Sequence, residues 1–293
     1  MIRQPGEQQL LAELAARFAN DIHNGNIELP PAPNLLTRLS SLTTDSDSSF
    51  DEIVSILQTE PIICERLLQL ANSANMAGHS QIQTLKAAVA RLGLSRLQAL
   101  ASGLVMDQYL HQQPSAPLFA EYKLIRLKSI KVAAISYLLT AEYSQLEAEQ
   151  ALLAGLIHNI GMVPLIRKLA SLPDVKHKTS RMKRLSEQLL PVFYPQFGYQ
   201  LLAYWQLAPA LRSVALNHQD LNYRHAGDID LNDIVIVAYQ LSLLVDFCNH
   251  AVIPESLVDS PAFQRLWPDW STASQQLSEA SEKILQIQHD ISG

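Results

Sequence analysis

Pro61-Ile62-Ile63-Cys64-Glu65-Arg66-Leu67-Leu68-Gln69-Leu70-Ala71-Asn72-Ser73-Ala74 carries Ile63, Leu67, Leu70 and Ala74 at spacings of three and four residues. That is the period of one face of an α-helix, and Pro61 suits the first helical turn, where a missing N–H costs nothing. The same period recurs almost throughout the chain, while alternating runs of Val, Ile and Thr bounded by turn residues are missing. A half-buried strand needs that two-residue alternation, so the fold class is all-α. Apolar residues make up 48% of the 293, within the ordinary globular range, which argues against long disordered stretches.

Upstream, Leu10, Leu14, Phe18 and Ile22 predict a helix over 10–22 that stops at Asn24-Gly25-Asn26. The rigid turn Leu29-Pro30-Pro31-Ala32-Pro33 leads to a helix over 34–42 and a polar loop over 43–48. Ser49 and Glu52 form a capping-box pattern that starts a helix near Phe50. Downstream, Thr84 caps a helix through Leu85, Ala88, Val89 and Leu92, and Gly93 supplies its left-handed stop. Ser95 is read as the cap of the next helix. A Gln- and Pro-rich turn over 112–117 precedes a long helix over 118–143.

A second capping-box pattern, Ser144 with Glu147, starts a helix that runs to Ile157 and is closed by Gly161. The stretch 171–184 is polar and basic, and apolar periodicity returns at Leu185, broken by Pro191 and Pro195. Pro209 opens a helix through Leu211, Val214 and His218. Asp230 caps an apolar helix reaching about Phe247, and Leu277, Ala280 and Ile284 mark a final amphipathic helix over 271–288. No repeat of solenoid length is present.

The opening residues Met1 to Glu7 lack the charged-then-apolar design of a signal peptide, and no apolar run reads as approaching the roughly 18 residues of a membrane span. A cytoplasmic protein with no membrane partner is expected. Cys64 and Cys248 lie inside helical patterns without a partner motif, which suits reduced thiols. The net charge of −6 argues against a protein built to coat nucleic acid, since phosphate binding relies on Lys and Arg.

Gly-rich phosphate loops, Gly-x-Ser-x-Gly turns and Cys-x-x-Cys pairs are absent from the sequence, which removes support for several enzyme classes. The nine histidines never stand three or four apart, the spacing that puts two ligands on one helical face. A metal site would have to be assembled from separate helices, and no cofactor is called. In Ala154-Gly155-Leu156-Ile157-His158-Asn159-Ile160-Gly161 a His and a polar residue, flanked by glycines, interrupt an apolar run.

That segment resembles the His-Asp signature of HD-type metal phosphohydrolases, and the wider chain is similar to the HDOD family, the signalling offshoot of that superfamily. The supporting motifs are Leu29-Pro30-Pro31-Ala32-Pro33, Glu60-Pro61 through Ala74, Ala88-Val89-Ala90-Arg91-Leu92-Gly93, and Trp205-Gln206-Leu207-Ala208-Pro209 followed by Asn217-His218. The resemblance covers about residues 28 to 222 and implies a multi-helix bundle of two packed helical subdomains. Its expected organisation is an N-terminal helix over 1–27, an HDOD-like domain over 28–222 divided into halves 28–112 and 118–222, and C-terminal helices over 223–293.

The superfamily's metal ligands are implied to be a His on the long helix, the His-Asp pair, and a later His and Asp. Here those positions fall at Lys128, His158-Asn159 and, for the last acid, near Tyr239, with Asn217 and His218 beside them. A hard divalent cation needs anionic oxygens to offset its dehydration; Asn159 offers a neutral carbonyl and Lys128 a positive charge. The plain reading of His158 is a hydrogen-bonded core histidine. The sharper one is a remnant pocket in which Lys128 replaces the cation and an anionic small molecule or nucleotide binds, and retained metal catalysis comes last. Asn217-His218 with Asp220 and His225 is a weaker metal candidate, read as an exposed loop.

The basic residues Lys176, Lys178, Arg181, Lys183 and Arg184 follow Arg167-Lys168 and form a candidate docking patch, a solvated face by default. The expected function is a non-catalytic bacterial signal-transduction module whose partners are other signalling proteins. The alternatives are a metal-dependent phosphohydrolase of nucleotides or cyclic dinucleotides, and a receptor for an anionic small molecule.

Overall fold

The computed structural model describes residues 5–26, 29–42, 48–72, 82–111, 119–141, 146–173, 179–244 and 254–292, and these contain helices and connecting turns with no strand among them. The helices are α1 Pro5–Asn24, α2 Asn34–Ser40, α3 Ser48–Gln58, α4 Pro61–Ala71, α5 Leu85–Leu92, α6 Leu94–His111, α7 Phe119–Ala141 and α8 Ala148–Ile157. They continue as α9 Met162–Ser171, α10 Thr179–Tyr204, α11 Pro209–Asn217, α12 Leu231–Leu243, α13 Glu255–Val258, α14 Pro261–Leu266 and α15 Trp270–Ser292. The all-α class is as the periodicity requires.

Several ends follow directly from local chemistry. Pro61 and Pro209 occupy the first turns of α4 and α11. The Thr84 hydroxyl accepts from the Ala87 N–H at 3.1 Å, and Gly93 ends α5 at φ +82°. Asp230 and Asp233 form a reciprocal capping box at α12.

Other ends differ from the sequence expectation. Helix α3 begins at Ser48, so Ser49 sits inside its first turn; a run of cap-type residues offers more than one start. Helix α6 begins at Leu94, where the Gly93 carbonyl accepts from Leu97 N–H at 3.2 Å, and Ser95 lies two residues past the cap position. Glu147 stands at the N-cap of α8, not in its first turn, and makes no side-chain cap bond. Gly161 does not close α8 but precedes α9, a helix hidden in the sequence by its continuity with α8. Helix α10 continues through Pro191 and Pro195. Each proline removes one helical N–H, yet Leu189, Tyr194, Phe197 and Leu201 are buried on both sides of the gaps, and that packing outweighs the loss.

Helix α12 stops at Leu243 with Leu244 extended, short of Phe247. Phe247, Cys248, Ser73 to Asn75, the turn over 112–117, Ser144, Lys176 and Lys178 lie outside the described residues. The run Ala148–Ser171 corrects the expectation about apolar length: it is long and apolar enough to cross a membrane. Of its apolar window, 83% is buried inside the protein, which is the signature of a core helix pair.

Two apolar clusters organise the chain. One joins α1 to α6 with α9 and α10 through residues such as Phe18, Leu39, Leu67, Leu97, Leu165 and Phe197. The other joins α7 to α12, α14 and α15 through Ile135, Ala154, Val235, Phe263 and Ile284. Helices α7 and α8 contribute to both: Leu153 and Ile157 face the first cluster, and Leu152 and Leu156 the second.

Because α8 is buried all round, it must let neighbours approach closely. A Cβ on Gly155 would lie 2.5 Å from Ala133 Cα, and one on Gly161 would lie 2.0 Å from the Tyr194 carbonyl oxygen. The motifs quoted at the two ends of the family resemblance also meet, since the Trp205 indole donates to the Pro30 carbonyl at 2.9 Å. Helix α1 docks on α10 through Phe18, edge-on to Phe193 and Phe197, and an Asp21–Lys168 ion pair fastens it.

Gly155→Ala is expected to destabilise the protein by about 1–3 kcal/mol or more, because backbone rather than a side-chain tip blocks the added methyl. Gly103→Ala, whose methyl would meet only the tips of Leu152 and Leu156 at 3.2 Å, is expected to cost less. Urea denaturation of both variants, compared at equal m value, checks the difference.

Candidate functional site

The α8–α9 junction is where the apolar run breaks. His158 follows the last residue of α8, and its Nδ1–H donates to the Gly155 carbonyl at 2.6 Å. The carbonyl that orients the imidazole thus belongs to the glycine that packs on Ala133. Asn159 is held at both ends: its Oδ1 accepts from the Ser129 hydroxyl at 2.8 Å and its Nδ2 donates to the Ile125 carbonyl at 3.3 Å. His158 and Asn159 are both fully buried.

His218 comes to the same place from the end of α11. Its Nδ1–H faces the carbonyls of Val214 and Ala215, each at 3.1 Å, which leaves Nε2 as the acceptor for the Tyr194 hydroxyl at 2.5 Å. Gln219 donates in turn to the Tyr194 hydroxyl. The His158 and His218 rings stand 5.0 Å apart, centroid to centroid. Tyr239 from α12 lies 5.6 Å from His158 and 5.0 Å from His218, and Tyr194 lies 5.2 Å from His218. Four rings thus close on one another, and among the described residues no carboxylate joins the two imidazoles in a three-ligand group.

Burial sets the electrostatics. It lowers His158 to about 4, against a partial offset from the Gly155 hydrogen bond and with a further push from the Lys128 charge. Burial, followed by the neighbouring His158, likewise lowers His218 well below the ordinary imidazole range. The Tyr194 hydroxyl is raised, first by burial and then by Tyr239, so it stays a donor. Both imidazoles are neutral at pH 7, which matches the single-donor tautomers that their backbone bonds define.

The site residues expected from the sequence divide three ways. The rings of His158, His218 and Tyr239 assemble, while Asn159, next to His158 in the chain, turns to Ser129 and Ile125 of α7. Lys128 does not enter: it is exposed on α7, and the buried neighbour Ser129 meets Asn159 instead. The resemblance located the right turn of α7, but helical phase decides which of two adjacent residues points inward. Asn217 turns from its neighbour His218 toward Ser213 at 3.0 Å and Asn232 at 3.4 Å. Tyr194 and Ser129 were missed, since nothing in their local sequence ties them to residues some 25 to 30 positions away.

The second candidate cluster has different members from those expected. Asp220 is exposed and His218 belongs to the ring cluster, while His225, Asp230 and Asp233 come together, with ligand-type atoms within 4.8 Å of one another. His225 Nε2 lies 2.7 Å from Asp233 Oδ2. Burial opposes charge on His225, but the Asp233 hydrogen bond and the Asp230 charge outweigh it, and the net shift is upward. Burial raises Asp233, against the lowering effect of His225. Both Asp230 oxygens already accept, one from Asp233 N–H and the other from Tyr223 and Asn232. Asp230 and Asp233 are thus engaged in the α12 cap, while Asp233 Oδ1 is buried without a hydrogen-bond partner among the described residues. Of the candidate docking patch, Arg181 is half-buried, and Lys183 and Arg184 are exposed in the opening turns of α10.

A family model of the HDOD domain matches residues 29–221. The fold is similar to that of a candidate metal-dependent phosphohydrolase from Shewanella amazonensis SB2B, with a TM-score of 0.70 at 22% identity over 98% of this chain and 100% of that one. It is also similar to an HDOD domain protein of unknown function from Geobacter sulfurreducens, with a TM-score of 0.68 at 19% identity, covering 96% and 98%. A candidate signal transduction protein from Marinobacter aquaeolei VT8 gives a TM-score of 0.60 at 19% identity, covering 98% of this chain and 66% of that one. At these identities the likeness is one of fold. No curated protein matches the sequence.

A histidine held neutral in the folded state, with its pKa at about 4 against 6.5 unfolded, contributes stability that is fully present above pH 6.5. That contribution is lost as pH falls, because the unfolded chain gains a proton that the folded one refuses. For His158 the loss between pH 6.5 and 4 is expected to be roughly 3 kcal/mol. Urea midpoints measured across that range check it: His158→Gln should flatten the slope, and a midpoint constant from pH 7 to 4.5 would contradict it.

Proposed function

Because this chain belongs to the HDOD domain family, we propose that it is a non-catalytic signal-transduction module of the bacterial cytoplasm that acts by binding other proteins. The observation that carries this reading is the ring cluster in which His158 and His218 pack on Tyr239 and Tyr194.

These residues do not fit a divalent cation. Among the described residues the donors are two neutral imidazoles, with no carboxylate joining them in a three-ligand group. Asn159 is already bonded through both its oxygen and its nitrogen. His218 Nε2, the nitrogen a metal would use, faces the Tyr194 hydroxyl. Hard cations exchange their hydration shell for anionic oxygens, and even the nitrogen-tolerant ions of HD-type chemistry need a charge-balanced set with an open position for water. A phosphohydrolase built on these side chains would lack both.

The anionic-ligand reading loses support for a related reason. Lys128 is exposed, and tyrosine rings occupy the space beside the buried imidazoles. Function then falls to surfaces, and the core polar residues act in folding.

Elemental analysis of the purified protein tests the proposal. The expected outcome is no stoichiometric Fe, Mn, Zn or Mg, with no hydrolysis of nucleotides or cyclic dinucleotides when these ions are added. One equivalent of metal per chain, lost in His158→Ala and accompanied by hydrolysis of a nucleotide or opening of a cyclic dinucleotide to its linear product, would establish the hydrolase instead.

A further inference from the structure

We propose that the outer face of α7, carrying Lys123, Leu124, Leu127 and Lys128, is the docking surface for an acidic amphipathic helix of a partner protein. The proposal rests on the binding role argued above and gives it a location and a chemistry.

Single exposed hydrophobics are ordinary on protein surfaces. Here they converge. Leu124 is 59% exposed and Leu127 is 49% exposed. At about 100° per residue, Lys123, Leu127, Leu124 and Lys128 occur in that order across an arc of about 140°, with a lysine at each edge, and Lys131, one turn further on, falls between the two leucines with its ammonium tied to the end of α12. The Lys131 ammonium donates to the carbonyls of Ser242 at 2.7 Å and Leu244 at 3.4 Å. These bonds hold the end of α12, where Leu243 is 52% exposed, against α7 at Lys131.

Charge selects the partner. Helix α7 has four cations, Lys123, Arg126, Lys128 and Lys131, against the one acid Glu121. Arg126 is engaged with buried Asp107, and Lys131 with the carbonyls at the end of α12. Lys123 and Lys128, both exposed, form no ion pair among the described residues. An apolar stripe edged by unpaired ammonium groups, on a chain of net charge −6, is a local reversal of sign. A helix with leucine-type anchors at i, i+3 or i+4 and i+7, flanked by Glu or Asp, complements it in both shape and charge. The Lys128 charge also reaches His158, so the surface lies over the filled histidine site.

Binding is measured by fluorescence anisotropy with a labelled synthetic amphipathic helix bearing leucine anchors and Glu flanks, beside the same helix with Lys flanks. The Glu peptide should bind, and the Lys peptide should not. Leu124→Glu with Leu127→Glu should weaken binding roughly tenfold or more, while Leu285→Glu, at an exposed leucine on α15, should leave it unchanged. Lys123→Glu with Lys128→Glu should reverse the peptide preference, and because all four positions are exposed, melting temperatures should stay within a few degrees of the parent.

Equal binding of the two peptides, or binding of neither, would overturn the proposal. Self-association in sedimentation that the Leu124→Glu, Leu127→Glu variant abolishes would assign the face to a second copy of this chain. Flotation with phosphatidylglycerol vesicles that the same variant abolishes would assign it to a membrane. Metal content and hydrolysis are read separately, so a protein that hydrolyses yet prefers the acidic helix would refute the non-catalytic reading and leave this one standing.

Discussion

The backbone contact between α7 and α8 governs the rest of the molecule. With Gly155 set directly against Ala133, α8 lies deep enough to be buried on every side, and both apolar clusters can be built around it. The same depth leaves His158 and Asn159 at the end of α8 without water, so each must find its hydrogen bonds inside the protein. They do so through Gly155, Ser129 and Ile125, all on α7 or α8. A structural requirement and the geometry of the candidate site thus share one cause.

What a buried pair of histidines can do depends on what stands opposite them. Carboxylates would favour a cation and a polarised water; tyrosine rings favour neutral imidazoles packed as core. The Nδ1–H to carbonyl bonds of His158 and His218 are of the kind that orient metal-binding histidines by holding the nitrogen that faces away from the ion. Here the freed Nε2 of His218 accepts from a phenol. The backbone bonds orient both imidazoles while tyrosine rings face them, so a fold shared with a candidate phosphohydrolase does not by itself say what this site does.

A second buried polar group fastens the last helix to this core. Asp107 on α6 accepts from Arg66 of α4 and Arg126 of α7, and Arg66 also donates to the Ile291 carbonyl near the end of α15. Two guanidiniums around one fully buried carboxylate offset its desolvation, and losing any member would strand a charge. The cluster ties the last helix to the first apolar cluster, although α15 otherwise packs on the second through Leu277, Ile284 and Ile287.

The periodicity of apolar residues determined by itself that the chain is helical, and its cap residues located Thr84, Gly93, Pro61, Pro209 and Asp230 correctly, because these depend on groups within four residues of one another. The family resemblance located His158, His218 and Tyr239, whose rings do meet, and Asn159, which binds α7 beside them. Where alternatives were equal locally, as at Ser48 and Ser49 or Leu94 and Ser95, the sequence had no means to choose. Only the tertiary structure decided that α10 survives two prolines, that Ser129 rather than Lys128 turns inward, that Tyr194 closes the histidine site, and that His225 joins Asp233. Each of these is settled by packing between segments far apart in the chain, where burial energy outweighs local preference and leaves no local trace.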